Sequence, residues 1–139
     1  MVLVLVVALV VVSVLWWVRR SGGNNRYIDS MVAGRAAGTI RSKAQLINGG
    51  NHILVALTLE RNQIVYQNLH LNGSIGISQI DEVEYGSDLV TGGIADGAVL
   101  RLRSHGRAIE FVMPVAAAEQ WSHRLPPHRL DEAGRVQAV

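Results

Sequence analysis

The chain has 139 residues, and its first eighteen carry no charge, so about 120 residues remain for a water-soluble part. That length allows one domain at most. Thirteen Lys and Arg residues against eleven Asp and Glu residues give a formal net charge of +2, too small to indicate a nucleic-acid partner. The chain has no cysteine, which excludes disulfides, thiolate catalysis and Cys-ligated zinc or iron–sulfur sites.

The N-terminal segment predicts a transmembrane helix. Residues 1–18 read MVLVLVVALVVVSVLWWV. At about 1.5 Å per residue this run spans ~27 Å as a helix, close to the ~30 Å hydrocarbon core of a bilayer. In lipid every backbone amide needs an internal partner, so a helix is expected despite the β-branched valines. We assign the span to residues 1–20, and its apolar run offers no ionisable side chain for proton or ion transfer.

The residues that flank this run indicate its orientation. Trp16 and Trp17 stand where an interfacial aromatic belt belongs, and Arg19 and Arg20 follow at once as a cytoplasmic flank would. A cleaved signal peptide would instead carry positive charge before the apolar run and small residues after it. We therefore predict a single-pass protein of the inner or plasma membrane, with its N-terminus outside and residues 19–139 in the cytoplasm.

Residues 21–38 are expected to connect this anchor to the body of the protein. The stretch SGGNN at residues 21–25 predicts a flexible polar linker. In the stretch that follows, residues 26–38, four apolar side chains have approximate helical spacing: Tyr27, Ile28, Met31 and Val32. We predict a short amphipathic segment lying near the bilayer.

From residue 39 onward the hydrophobic period is two, which predicts about six β-strands. Turn residues at 48–51, at Asn72-Gly73 and at His105-Gly106 separate them. Residues 81–86 extend or bulge the fourth strand, and residues 87–97 form an irregular Gly-rich loop. The predicted strands are residues 39–47, 52–60, 64–71, 74–80, 98–104 and 107–113.

Pro114 ends the strands, and residues 115–125 predict an amphipathic helix whose apolar face is centred on Trp121. Pro126-Pro127 ends the helix, and residues 126–139 are predicted to be a flexible tail. The predicted fold is a transmembrane helix followed by a mainly-β soluble domain. That domain is a small antiparallel barrel over residues 39–125, with Trp121 plugging its open end.

The body resembles the PH-like superfold, in particular the GRAM and bacterial PH-like domains. The resemblance lies in the placement of hydrophobic residues and turns, at Leu57–Leu59, Asn62–Tyr66, Ile75–Val83, Leu100–Leu102, Gly106, Glu110-Phe111, Trp121 and Leu125. It implies a helix-capped antiparallel barrel and a basic cluster that binds lipid headgroups. Three cations are available near the first strands for such a cluster: Arg35, Arg41 and Lys43.

No catalytic, cofactor or metal site is expected from the motifs. The five histidines, His52, His70, His105, His123 and His128, lack ligand spacing and are taken as surface residues. The stretch Gly92–Gly97 lacks the Lys-Ser/Thr ending of a phosphate loop.

Two charged groups of the body are interpreted as surface features. Asp81, Glu82 and Glu84 are read as an acidic patch whose side chains alternate between faces, with nothing basic spaced to work with them. Arg101 and Arg103 share one strand face opposite Leu100 and Leu102, which predicts the solvent face rather than a ligand clamp.

Three function hypotheses follow. The first is a membrane-tethered, non-enzymatic interaction module, an accessory or scaffold subunit of a larger complex of integral membrane proteins, with respiratory and photosynthetic assemblies as candidate hosts. The second is a PH-like module that binds the membrane surface, in which cations meet anionic headgroups. The third, an enzyme, is disfavoured by the absence of a nucleophile–base pair or cofactor motif. Possible lipid or partner contacts are Arg19, Arg20, Arg26, Arg35, Arg41, Lys43, Arg101 and Arg103.

Overall fold

The computed structural model describes residues 22–34, 39–130 and 136–137, the last two by backbone only. The predicted transmembrane segment therefore lies outside the described residues, with its interfacial side chains Trp16, Trp17, Arg19 and Arg20, and so does Arg35. Among the helices that are described, none is both long and apolar enough to cross a membrane.

The described chain is mainly β-strand. In chain order the strands are β1 (Ile40–Asn48), β2 (Asn51–Leu59), β3 (Gln63–Gln67), β4 (Asn72–Gly76), β5 (Glu82–Asp88), β6 (Ile94–Ser104), β7 (Arg107–Met113), β8 (His128–Leu130) and β9 (Val136–Gln137). They pair antiparallel in one sheet of order β4-β3-β2-β1-β7-β6-β5-β8-β9. Over the described residues this sheet is open, and β4 and β9 are its edges.

The predicted mainly-β domain with a C-terminal helix is confirmed. The hairpin predicted at His105-Gly106 joins β6 to β7, and both turn residues have positive φ, at 50° and 75°. Positive φ at both central residues is what a two-residue turn needs to match the twist of its strands. The C-terminal helix, α2, spans Val115–Arg124 and begins directly after Pro114.

The core lies on one face of the sheet. β2 supplies Val55, Leu57 and Leu59 at period two, and α2 supplies Trp121, which is fully buried. The rings of Tyr66 on β3 and Phe111 on β7 have centroids 5.7 Å apart, although β2 and β1 lie between these strands in the sheet. The sheet therefore curves around its core, and α2 covers the concave side.

Residues 22–33 form a helix, α1, and this differs from the predicted flexible linker. Asn24 and Asn25 lie inside the helix. The Asn24 side chain bonds to the connection between β3 and β4, and the Asn25 side chain bonds to β1. Asn24 Oδ1 accepts from the amide of Leu69, and Asn25 Oδ1 accepts from Lys43 Nζ. Tertiary hydrogen bonds thus stabilise a helical turn whose Gly and Asn residues have low intrinsic helix propensity.

Other segments also differ from the expectation. Asn72 and Gly73, predicted as a turn, belong to β4, and residues 94–97, predicted as part of a loop, begin β6. Residues 82–88 form β5 in their own right, because this segment pairs along β6 and not as an extension of β4. The predicted flexible tail contains β8 and β9, since the outer edge of β5 offers hydrogen-bonding groups that the tail satisfies: Leu130 N donates to Asp81 O at 2.8 Å.

Candidate interaction surface

The face of the sheet opposite the core, here called the outer face, carries most of the charged side chains of the strands. On β6, Leu100 and Leu102 point into the core, so Arg101 and Arg103 point to the outer face. By the same alternation Lys43 of β1 and Glu110 of β7 lie there. Two segments cover this face: α1 over β1 and β2, and the β5–β6 loop over β6 and β7.

Arg101 is the centre of a hydrogen-bonded ionic cluster. Its Nη1 donates to Glu84 Oε2 at 2.7 Å on β5, and its Nη2 donates to Glu110 Oε2 at 3.0 Å on β7. Nη2 also donates to the carbonyl oxygen of Asp88 at 2.7 Å. The Arg101 side chain is only 17% exposed, so this cation is committed to internal partners.

The β5–β6 loop folds back onto this cluster. The amide of Val90 donates to both carboxylate oxygens of Glu110, at 3.2 and 3.1 Å. Two backbone hydrogen bonds close the turn of this loop. The amide of Leu89 donates to the carbonyl oxygen of Gly93, and the amide of Gly92 donates to the carbonyl oxygen of Leu89, each at 2.8 Å. The loop is therefore ordered by its own turn and by the buried Glu110. It presents two apolar side chains to solvent, Val90 at 56% exposure and Ile94, the first residue of β6, at 84%.

Glu82 and Glu84 lie two residues apart on β5 and share the outer face with Arg103 and Arg101, which lie opposite them on β6. The prediction that nothing basic is spaced to work with the acidic cluster is therefore wrong. The hydrogen bond with Glu84, helped by burial, raises the pKa of Glu82. The same bond, with that from Arg101, lowers the pKa of Glu84. Because the two shifts are opposite, Glu82 is the carboxyl of this pair that takes up a proton first as the pH falls. Arg103 lies opposite Glu82 on β6, with Nε 3.4 Å from Glu82 Oε2.

α1 covers the other half of the outer face. Lys43 Nζ forms a salt bridge of 3.1 Å with Asp29, and Arg41 Nη1 donates to the carbonyl oxygens of Met31, at 3.2 Å, and Gly34. Ile28 of α1 is fully buried, and so are Ala56 and Thr58, which occupy outer-face positions of β2 opposite Lys43 and Arg41. The helix is thus held on the sheet by the buried Ile28 and by contacts from two cations, Arg41 and Lys43.

A groove remains between these two coverings. It encloses about 380 Å³ and is lined mainly by Lys43, Gln45, Leu54, Asp96, Val112 and Pro114. The lining mixes apolar surface with one cation and one anion, a composition found at protein interfaces. A second groove of about 350 Å³ lies between α2 and β5, beside Tyr85 and the exposed Val115.

The structure separates the predicted contact residues into two groups. Arg41 and Lys43 hold α1, while Arg101 and Arg103 pair with carboxylates of β5 and β7. Arg26 is exposed on α1. Trp121 is a core residue, and its Nε1 donates to Ser42 Oγ at 2.9 Å.

Sequence reasoning missed Glu110 and the loop amide that binds it. The pairs Glu82/Glu84 and Arg101/Arg103 do carry a signal, since two acidic and two basic residues at period two on successive strands predict cross-strand ion pairs. The contact between Val90 and Glu110 has no such signal, because its donor is a backbone amide, which almost any residue type supplies.

Within the part of the chain that the structure describes, no three His, Cys, Asp or Glu side chains converge on a metal position. Two of the histidines contact nearby polar groups: His52 Nδ1 lies 3.1 Å from Gln45 Oε1, and His128 Nδ1 lies 2.9 Å from Pro126 O.

In comparisons with known proteins, the chain matches no family profile, no curated protein and no solved structure.

Proposed function

We propose that this protein is a single-pass, membrane-anchored interaction module without enzymatic activity, an accessory or scaffold subunit of a larger membrane protein complex. The observation that carries the proposal is the junction between its parts. An uncharged run of eighteen residues ends only a few residues before a helix that is docked on the sheet. The N-terminus would be outside and the sheet domain would face the cytoplasm.

The docking of α1 supports a role that depends on fixed geometry. A domain tied to the bilayer through a docked helix presents one surface to neighbouring integral proteins, at high effective concentration. Weak contacts then suffice for stable association. The exposed apolar residues Val90 and Ile94, beside the groove lined by Asp96 and Val112, supply a surface of suitable composition.

The curved antiparallel sheet and the C-terminal helix with Trp121 in the core also support the PH-like interpretation of the sequence. The alternative function, binding of anionic headgroups by a PH-like domain, depended on six cations: Arg19, Arg20, Arg26, Arg35, Arg41 and Lys43. Of these, Arg41 and Lys43 bond to α1. Their engagement favours protein interaction over headgroup recognition as the role of this domain.

The proposal is tested by gentle detergent extraction of the tagged native protein, co-purification and mass spectrometry, with a high-salt wash. Recovery in one stoichiometric complex of integral membrane proteins that survives salt is expected. Isolation of the protein alone, or with salt-labile anionic lipid only, would contradict the proposal.

Matched variants test the surface within the same experiment. Ile94→Glu places a charge on the exposed apolar residue beside the groove, and Ser78→Glu places the same charge on an exposed residue of the 3-10 turn Ile77–Gln79. We expect Ile94→Glu to lower recovery of the complex at least several-fold and Ser78→Glu to leave it unchanged. Equal recovery with both variants would show that the docking surface lies elsewhere on the domain.

A further inference from the structure

The loop between β3 and β4, residues 68–71, is a tight turn that exposes Leu69. Asn68 Oδ1 accepts from the amides of His70 and Leu71, each at 2.8 Å, and Asn68 Nδ2 donates to Leu54 O at 3.0 Å. Leu71 packs against the core, whereas Leu69 is 48% exposed. An ordered turn thus presents an apolar side chain, and residues 68–71, NLHL, contain no Asp, Glu, Lys or Arg.

This loop lies beside the first described residues of α1. The amide of Leu69 donates to Asn24 Oδ1 at 3.2 Å, and a Cβ added to Gly23 would lie 3.8 Å from Leu69 Cδ1. One turn further along the helix, Tyr27 is 38% exposed. Because the salt bridge between Asp29 and Lys43 also fixes α1 on the sheet, the loop has a defined position relative to residues 23 and 24.

Covalent geometry limits the distance from the loop to the predicted span. Asn24 follows Arg20 by four residues, so their Cα atoms are at most about 14 Å apart in any conformation. A helical path would give about 6 Å. The headgroup layer on each side of the ~30 Å hydrocarbon core is roughly 5–8 Å thick. On the helical path, Asn24 and the Leu69 amide bonded to it therefore come within reach of that layer.

We propose that residues 68–71 form a second membrane contact, in which Leu69 inserts into the lipid interface beside the anchor, with Tyr27 next to it. The ligand is the lipid surface itself. A loop without formal charge enters the headgroup region with no ion to desolvate, and an aromatic side chain with a polar tip suits the same depth. This inference rests on the proposed membrane anchorage. It adds that the domain is oriented with residues 68–71 toward the bilayer.

The absence of native cysteine allows a site-specific test. The full chain carrying Leu69→Cys, His70→Cys or Ile94→Cys is labelled with an environment-sensitive nitrobenzoxadiazole fluorophore. It is reconstituted in phosphatidylcholine vesicles that contain nitroxide-labelled phosphatidylcholine. His70→Cys retains Leu69, and Ile94→Cys, at 84% exposure on the β5–β6 side, is the matched control.

We expect blue-shifted emission at positions 69 and 70, with nitroxide quenching at least two-fold stronger than at position 94. Equal quenching at all three positions, in vesicles from which alkaline carbonate does not extract the protein, would overturn the loop contact and leave the anchor standing. Extraction of the protein by carbonate would overturn the membrane anchorage itself, and the loop contact with it.

Discussion

Arg101 and Glu110 pair on the outer face. Arg101 also bonds to Asp88 O at the end of β5, and Glu110 also bonds to Val90 N in the β5–β6 loop. Glu110 is almost fully buried. Removing one member of a buried pair costs more than the pair contributes, because the remaining charge keeps its desolvation penalty. Arg101 retains Glu84 as a second partner, which limits this cost.

We expect Glu110→Ala to lower the free energy of unfolding by about 2–4 kcal/mol, since Arg101 and the amide of Val90 both lose their acceptor. The measurement is equilibrium chemical denaturation of the full chain in detergent micelles, followed by circular dichroism. The exposed Glu119→Ala on α2 is the control and should change stability by less than about 0.5 kcal/mol. Equal effects of the two variants would show that the cluster does not hold the loop.

The carboxyl pair on β5 predicts a pH dependence. The pKa of Glu82 is raised above 4.5 in the folded protein. Its contribution to the free energy of unfolding is therefore complete below about pH 4.5 and is lost as pH rises through the folded pKa. The pKa of Glu84 is lowered in the folded protein. Its contribution to the free energy of unfolding is therefore present above pH 4.5 and is lost as pH falls through the folded pKa. The two groups titrate as a pair.

Glu82→Gln keeps a neutral donor toward Glu84 at every pH. Relative to the native chain, this variant should therefore become progressively more stable as pH rises from 4.5 through the folded pKa of Glu82. Denaturation midpoints of the two chains, measured side by side across that range, provide the test. A difference that does not vary with pH would mean that folding does not raise the pKa of Glu82.

Among the elements, α1 depends most on tertiary contacts. Its salt bridge between Lys43 and Asp29 is substantially exposed, so that pair contributes little, about 0–1 kcal/mol. Ile28 is fully buried and supplies the apolar contact. Docking should therefore fail when Ile28 is replaced and persist when neighbouring exposed positions are changed.

Ile28→Asp should detach α1, because a carboxylate would have to be buried against β2. The readout is hydrogen exchange of the full chain, with at least ten-fold faster exchange expected in residues 22–33. Ser30→Asp introduces the same charge at an exposed position of the same helix and should leave exchange nearly unchanged. Unchanged protection in Ile28→Asp would contradict the docking.

α2 is held by Trp121, which fills the core and donates to the buried Ser42 hydroxyl. Trp121→Ala should cost about 3–5 kcal/mol through the cavity, and Ser42→Ala about 1–3 kcal/mol through the unsatisfied indole N–H. His123→Ala, exposed on the same helix, is the control. If the Trp121→Phe/Ser42→Ala double variant in a denaturation cycle shows no coupling, the hydrogen bond is energetically unimportant.

At the scale of the whole molecule, the main hydrophobic cluster of the described residues runs from Ala44 to Leu125, away from the predicted span. A chain lacking residues 1–20 should therefore keep the fold of the sheet and lose its association with membranes. Circular dichroism and alkaline carbonate fractionation test the two halves of this prediction. If the shortened chain remained in carbonate-washed membranes, the surface of the domain, and not residues 1–20, would be the membrane anchor.

The candidate surface could be predicted only in part. Period two correctly placed Arg101 and Arg103 on the face opposite Leu100 and Leu102. The predicted solvent exposure is wrong for Arg101, which is 17% exposed, and the carboxylate partners on β5 required the pairing of β5 with β6. The cations Arg41 and Lys43 were predicted as lipid or partner contacts, and the docking of α1 gives both of them intramolecular acceptors.

The sequence by itself determined the mainly-β class, the hairpin at His105-Gly106 and the start of α2 after Pro114, because these depend on residues adjacent in the chain. Only the tertiary structure decided that residues 22–33 dock on the sheet, that the tail adds strands and that Glu110 holds the loop. The physical reason is separation: Asn24 and Leu69 are 45 residues apart, and their bond forms only once the sheet brings them together.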